Sequence, residues 1–171
     1  MEERKDAVKL GGKPVTLLGP DLKPGDDAPD VELMDNDLHP FRLSNYKGKT
    51  VILTTVLSLD TSVCDAEVRK FNEKASSLDN VEVVTVSMDL PFTQKRWCGQ
   101  SDLDNVKTYS DYRSGELGKK YGTLIKDLNL HARSVFVIDK NGDIQYKQFV
   151  PEVSQEPDYD EAIEAVKKIT G

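Results

Sequence analysis

The chain has 171 residues, 37% of them apolar and 31% charged, which is enough for one globular domain with a core of its own. Its formal charge is −7 and its isoelectric point about 4.9, so it lacks the positive footprint that nucleic acid or an anionic membrane surface demands. No apolar run approaches a membrane span, and no apolar segment follows the charged start Met1-Glu2-Glu3-Arg4-Lys5-Asp6, so the expectation is a cytoplasmic protein without a secretory signal.

Along the chain, Ala7–Leu10 and Val15–Leu18 flank Gly11-Gly12, which predicts an N-terminal hairpin over about residues 7–19. Pro20 to Pro29 is a loop by composition, and Val31–Met34 and Phe41–Leu43 are short candidate strands. Thr50 to Leu57 is β-branched and nearly all apolar, as a strand buried on both faces should be. Cys64 to Leu78 carries apolar side chains at 64, 68, 71, 75 and 78, the spacing of one helix face, and Val81 to Met88 is a second buried strand. The two strands and the helix form a βαβ unit, hence a parallel pair. Pro91 to Cys98 predicts a short helix with proline at its start, Val106 to Ser110 a strand, and Glu116 to Tyr121 a further helical turn or two. Ser134–Asp139 and Asp143–Val150 flank Asn141-Gly142, which predicts a type I′ hairpin. Tyr159 to Ile169 closes the chain as a helix with Ala162, Ile163, Val166 and Ile169 on its apolar face. A βαβ unit followed by ββα predicts an α/β protein of thioredoxin-like fold: one domain over 1–171, a central mixed sheet, flanking helices and the hairpin as an N-terminal extension.

The two cysteines, Cys64 and Cys98, are not arranged as C-x-x-C, which excludes the ordinary dithiol oxidoreductase motif. Cys64 falls in the first turn of a predicted helix, with Asp60 and Thr61 as candidate N-caps. The unpaired N–H groups and dipole of a helix N-terminus favour anions, so a thiol there is pushed toward the nucleophilic thiolate. Cys64 also heads the apolar stripe, so it should face the protein. Cys98 lies in Lys95-Arg96-Trp97-Cys98-Gly99, and Trp97 reads as packing. His39 and His131 fit no ligand spacing, so neither a metal nor a cofactor is expected. Gly11-Gly12-Lys13 is a turn rather than a phosphate loop, and Glu152 to Glu161 reads as a solvated loop and helix start.

Thr61-Ser62-Val63-Cys64-Asp65, Arg69-Lys70-Phe71-Asn72-Glu73, Arg96-Trp97-Cys98 and Ala132-Arg133-Ser134-Val135-Phe136-Val137-Ile138-Asp139, in this order and at these spacings, closely resemble the bacterial thiol peroxidases, which are atypical two-cysteine peroxiredoxins. Gly12 to Leu17 resembles their N-terminal hairpin, and Gly25 to Asp30 a loop shared with other peroxiredoxins. The resemblance covers nearly the whole chain. It implies reduction of hydrogen peroxide and organic hydroperoxides, with Cys64 as peroxidatic thiolate, Thr61 holding the peroxide, Arg133 stabilising the charges, and Cys98 as resolving thiol in an intramolecular Cys64–Cys98 disulfide. It further implies thioredoxin as reductant and a homodimer. One position departs from the family's P-x-x-x-T-x-x-C pattern: Leu57 stands where proline is expected, restoring an N–H and freeing φ. Two other classes fit the same residues: a redox sensor that uses the disulfide as a switch, and a structural module with inert core cysteines.

Overall fold

The computed structural model describes residues 1–101 and 106–170. Eleven strands, four α-helices and one 3-10 helix (Leu43–Tyr46) occur among them. The strands are β1 (Glu3–Leu10), β2 (Lys13–Leu18), β3 (Glu32–Met34), β4 (Pro40–Arg42), β5 (Thr50–Thr55), β6 (Val81–Ser87), β7 (Val106–Ser110), β8 (Leu124–Ile125), β9 (Leu130–His131), β10 (Ser134–Ile138) and β11 (Ile144–Phe149). The α-helices are α1 (Ser62–Ala75), α2 (Pro91–Ser101), α3 (Glu116–Tyr121) and α4 (Tyr159–Thr170).

The central sheet has the order β11-β10-β5-β6-β7-β3-β4. Strands β5, β6 and β7 run parallel, while β10 is antiparallel to β5, β11 to β10, and β3 to both β7 and β4. This mixed sheet is the thioredoxin-like core that the element order predicts. Alternation along its strands builds two layers of core. Ile52, Val56, Val83, Val135 and Val137 face the side that α1, α4 and Trp97 of α2 cover. Val51, Leu53, Val84, Val86, Phe136 and Ile138 face the other side, with Leu117 and Tyr121 of α3. All six residues of β5 are buried, as its uniform apolar and β-branched composition requires. The parallel strands bring their carboxyl ends to one edge, and the segments leaving that edge are the loop into α1, the turn into α2 and the loop before α3.

A second sheet, β1-β2-β8-β9, covers a smaller cluster of Val8, Leu17, Ile125, Ala132 and Val153. The hairpin begins at Glu3, four residues ahead of the apolar stretch, because its polar start pairs with Leu17 and Leu18 across a bulge at Asp6, where φ is 55°. Gly11 and Gly12 both have positive φ, as the glycine turn predicted between the two strands allows. The turn after β10 differs from expectation: of Asn141-Gly142 only Gly142 has positive φ. Asp139 closes this turn, its C=O accepting Gly142 N–H at 3.0 Å and its carboxylate accepting the N–H groups of Asn141 and Asp143. In α4 the predicted face is buried at Ala162, Ile163 and Val166, whereas Ile169 is exposed in the last turn.

Candidate active site

Helix α1 starts two residues earlier than its apolar stripe, at Ser62, and Thr61 rather than Asp60 is its N-cap. Thr61 has extended backbone angles, and its Oγ1 accepts the Cys64 N–H at 3.4 Å, the bond that defines an N-cap. The same hydroxyl donates to Ser58 O at 2.9 Å, so its proton is committed to the preceding loop and its lone pairs face the helix start. Cys64, Val68, Phe71 and Ala75 are buried on the face the 4-3-4 spacing predicts. Cys64 has no solvent exposure.

Arg133 lies in the link between β9 and β10 and is 1% exposed, an unusual burial for a guanidinium. Its Nη2 donates to Cys64 Sγ at 3.2 Å, its Nη1 to Glu67 Oε1 at 3.3 Å, and its Nε to Val153 O at 2.8 Å. Three bonds in three directions fix the fork, and the backbone beside it is fixed as well. Thr55 Oγ1 at the end of β5 donates to Ala132 O at 2.7 Å, which leaves Ser134 Oγ to donate to Thr55 Oγ1 at 2.5 Å. The strand that ends at Thr55 therefore holds both neighbours of Arg133 next to the helix its own chain enters.

Glu67 was not singled out by the apolar stripe, yet it lies one turn from Cys64, and the i,i+3 spacing is the signal that finds it. It is fully buried, and Oε2 has no hydrogen-bond partner among the described residues. Burial pushes its carboxyl up to about 8, against the pull of Arg133. For Arg133 burial disfavours the charge, but Glu67 and Cys64 together hold the guanidinium above its ordinary value.

Cys98 lies within α2, not at its end, and its thiol is turned toward the sheet rather than to Cys64. Its Sγ is 3.2 Å from Thr108 Oγ1 on β7 and 3.7 Å from Asn36 Nδ2. Both cysteines are thiols. The structure thus brings Thr61, Cys64 and Arg133 together, and places Cys98 on the neighbouring helix with partners of its own. A direct link joins the two helices: Trp97 Nε1 donates to Asp65 Oδ1 at 2.9 Å, while Asp65 Oδ2 accepts Arg69 Nε at 2.9 Å. Trp97 packs in the core as expected, and this bond goes beyond packing.

Residues 23–163 match the family described as Redoxin. The chain belongs to the redoxin family. It is 50% identical over 161 residues to a thiol peroxidase of Halalkalibacterium halodurans, covering 94% of this redoxin and 97% of that protein. It is 48% identical over 162 residues to a thiol peroxidase of Bacillus subtilis, covering 95% and 97%. Among solved structures, a peroxiredoxin-like protein from Aquifex aeolicus superposes with a TM-score of 0.90 at 44% identity, covering 96% of this redoxin and 97% of that chain. A thiol peroxidase from Chromobacterium violaceum superposes with a TM-score of 0.87 at 19% identity over 94% and 95%, a likeness of fold.

Proposed function

We propose that this redoxin reduces hydrogen peroxide and small organic hydroperoxides with Cys64 as nucleophile, Cys98 as resolving thiol, and thioredoxin as the dithiol that recycles them. Thiol-dependent peroxide reduction is the activity of the family to which the chain belongs. The observation that carries the residue assignment is the Arg133 Nη2–Cys64 Sγ contact of 3.2 Å at a helix N-terminus, with no water-exposed surface on the sulfur.

The thiolate attacks the nearer peroxide oxygen in line with the O–O bond. A C–S–O link forms, the O–O bond breaks with both electrons going to the departing oxygen, and a proton converts that oxygen to water or an alcohol. Negative charge moves from sulfur to the leaving oxygen, so donors fixed beforehand near both positions lower the barrier. Arg133 and the first-turn N–H groups of α1 are such donors. Thr61 Oγ1, its own proton bound to Ser58 O, offers a lone pair to the O–H of the incoming peroxide. The resulting Cys64 sulfenic acid condenses with the Cys98 thiol, releasing water and forming a disulfide. An external dithiol then reduces this disulfide by exchange.

Condensation requires motion. Cys64 heads a buried helix, Cys98 is held by Thr108 and Asn36, and the Cα atoms of a disulfide approach to within about 7 Å. We infer that the first turn of α1 and the Cys98 segment of α2 unwind locally, breaking the Trp97–Asp65 bond. The competing sensor reading predicts stoichiometric oxidation without turnover, and the inert-module reading predicts no oxidation. Peroxide consumption with catalytic thioredoxin, its reductase and NADPH separates all three. We further propose a single domain acting as a homodimer in the cytoplasm, readings that rest on the family resemblance; sedimentation at micromolar concentration tests the dimer.

A further inference from the structure

We propose that Asp89 is a positioning residue for the peroxide reaction, holding the Thr61 hydroxyl in register with Cys64 by clamping the loop between β5 and α1; this rests on the roles of Thr61 and Cys64 given above. Asp89 lies just past the carboxyl end of β6, two residues before the start of α2. Its carboxylate collects three donors. Ser58 Oγ–H reaches Oδ1 at 2.7 Å, Leu59 N–H reaches Oδ2 at 2.8 Å, and Ser87 Oγ–H reaches Oδ2 at 2.7 Å. Short bonds to an ionised acceptor are the stronger kind, and two of the three come from the loop that leads to Cys64.

From that clamp a continuous series of hydrogen bonds runs to the thiol-bearing residue. Ser58 Oγ accepts Asp60 N–H at 3.1 Å. Ser58 O accepts both Thr61 N–H at 3.2 Å and Thr61 Oγ1–H at 2.9 Å. Thr61 Oγ1 accepts Cys64 N–H at 3.4 Å. The orientation of the Thr61 hydroxyl is therefore set by where Ser58 sits, and Asp89 sets where Ser58 sits. The loop needs an external anchor because Leu57-Ser58-Leu59-Asp60-Thr61 contains no proline, leaving every φ in it unlocked.

Asp89 also reaches the other reacting segment. Ser87 Oγ, which also accepts Asp89 N–H at 3.2 Å, takes Gln94 Nε2–H at 3.0 Å, and Gln94 sits one turn before Cys98 on α2. Ser110 Oγ–H donates to the Asp89 carbonyl, tying the same residue to the end of β7. One carboxylate thus links the loop that holds the peroxide to the root of the helix that carries the resolving thiol. Displacing a reacting group by about 1 Å costs on the order of 100-fold in rate, so an anchor at this distance from the chemistry is within reach of it.

The test compares two electrophiles on the full-length reduced protein: hydrogen peroxide, which uses Thr61, and iodoacetamide, which needs only the thiol. Asp89→Ala should slow Cys64 oxidation by peroxide about tenfold or more while alkylation does not fall. Ser58→Ala, which removes one donor and leaves the carboxylate in place, should slow it several-fold, and Asp89→Asn, which keeps one acceptor oxygen, should fall between the native rate and that of Asp89→Ala. Thr61→Ala is measured beside them, and Asp89→Ala in that background should add little. Peroxide and iodoacetamide rates falling in parallel would overturn the proposal, as would native peroxide rates in both Asp89→Ala and Ser58→Ala when Thr61→Ala is slow. A native peroxide rate in Thr61→Ala would instead overturn the reading of Thr61 itself.

Discussion

Arg133 divides one guanidinium between a thiol, a carboxylate and a backbone carbonyl, all of them out of water. Such a group stabilises negative charge without reorganising at the moment of reaction, and removing one preorganised donor of this kind costs about 100- to 1,000-fold in rate. Arg133→Met should therefore lower the rate of Cys64 oxidation by at least about 100-fold, measured by stopped-flow after confirming the fold by circular dichroism; Arg133→Lys should not restore it, because an ammonium cannot serve three directions from one plane. Glu67 is the counterpart. A carboxyl held near 8 by burial binds its proton more tightly in the folded chain than in the unfolded one, where it titrates near 4.5. Its contribution to stability is thus present below about 4.5 and is lost as pH rises toward about 8. Glu67→Gln mimics the protonated carboxyl, so its melting temperature should match the native protein at about pH 4, below the unfolded carboxyl's titration, and exceed it at pH 8. A native protein that gains on Glu67→Gln with rising pH would mean that Arg133 outweighs burial. At this scale Cys64 was legible as a thiol at a helix start and Thr61 as a candidate cap, whereas the role of Arg133 came only through the ordered resemblance. Arg133 alone is one arginine at a strand start, and its burial depends on Thr55 and Val153, far away in sequence.

Between elements, the same loop-to-helix geometry recurs at the carboxyl edge of the sheet. Asp111, just past β7, accepts Leu117 N–H at 3.2 Å and Gly118 N–H at 3.0 Å in the first turn of α3, and its Oδ2 lies 3.0 Å from His131 Nε2. His131 Nδ1 is 2.7 Å from Thr123 Oγ1, so the ring ties α3 to the segment that leads into Arg133. Asp111, Thr123 and His131 are all within 2% of full burial, so the network is closed to solvent. Asp111→Ala leaves three buried donors without an acceptor, at about 1 kcal/mol or more each, so it should destabilise by about 3 kcal/mol or more in chemical denaturation. The buried strands β5 and β6, the apolar faces of α1 and α4, and the Gly11-Gly12 turn were all readable, because an unbroken apolar run, period 3.6 and a glycine pair are local properties. Strands β8 and β9 were not, since two residues each carry no periodicity and exist only by pairing with β2 and with one another. The Asp139 turn defeated its Asn-Gly signal because a side-chain acceptor stabilised a different backbone. The Trp97–Asp65 bond likewise joins residues 32 apart, beyond any local pattern. Oxidation should break it: the disulfide form should exchange amide hydrogens faster over the first turn of α1 and over residues 91–98 than the reduced form, with a change in Trp97 fluorescence. Equal exchange in the two forms would contradict the unwinding.

For the whole molecule, a single mixed sheet carries helices on both faces and collects the loop before Cys64, the root of the Cys98 helix and the Asp111 network along one edge. The N-terminal sheet packs Ala132 and Val153 on either side of Arg133 into its own cluster, so the extension supports the site from behind. This arrangement holds the Cys64 side chain out of water, in contact with Arg133. The central claim is that a buried thiol turns over by pairing with a second thiol that the resting fold holds elsewhere. Peroxide consumption at limiting protein, with thioredoxin, its reductase and NADPH, tests it on the native chain, Cys64→Ser and Cys98→Ser. Many turnovers in the native protein, none in Cys64→Ser, and one oxidation without thioredoxin-driven cycling in Cys98→Ser is the result expected. Stoichiometric oxidation without turnover in the native chain, or undiminished cycling in Cys98→Ser, would contradict it.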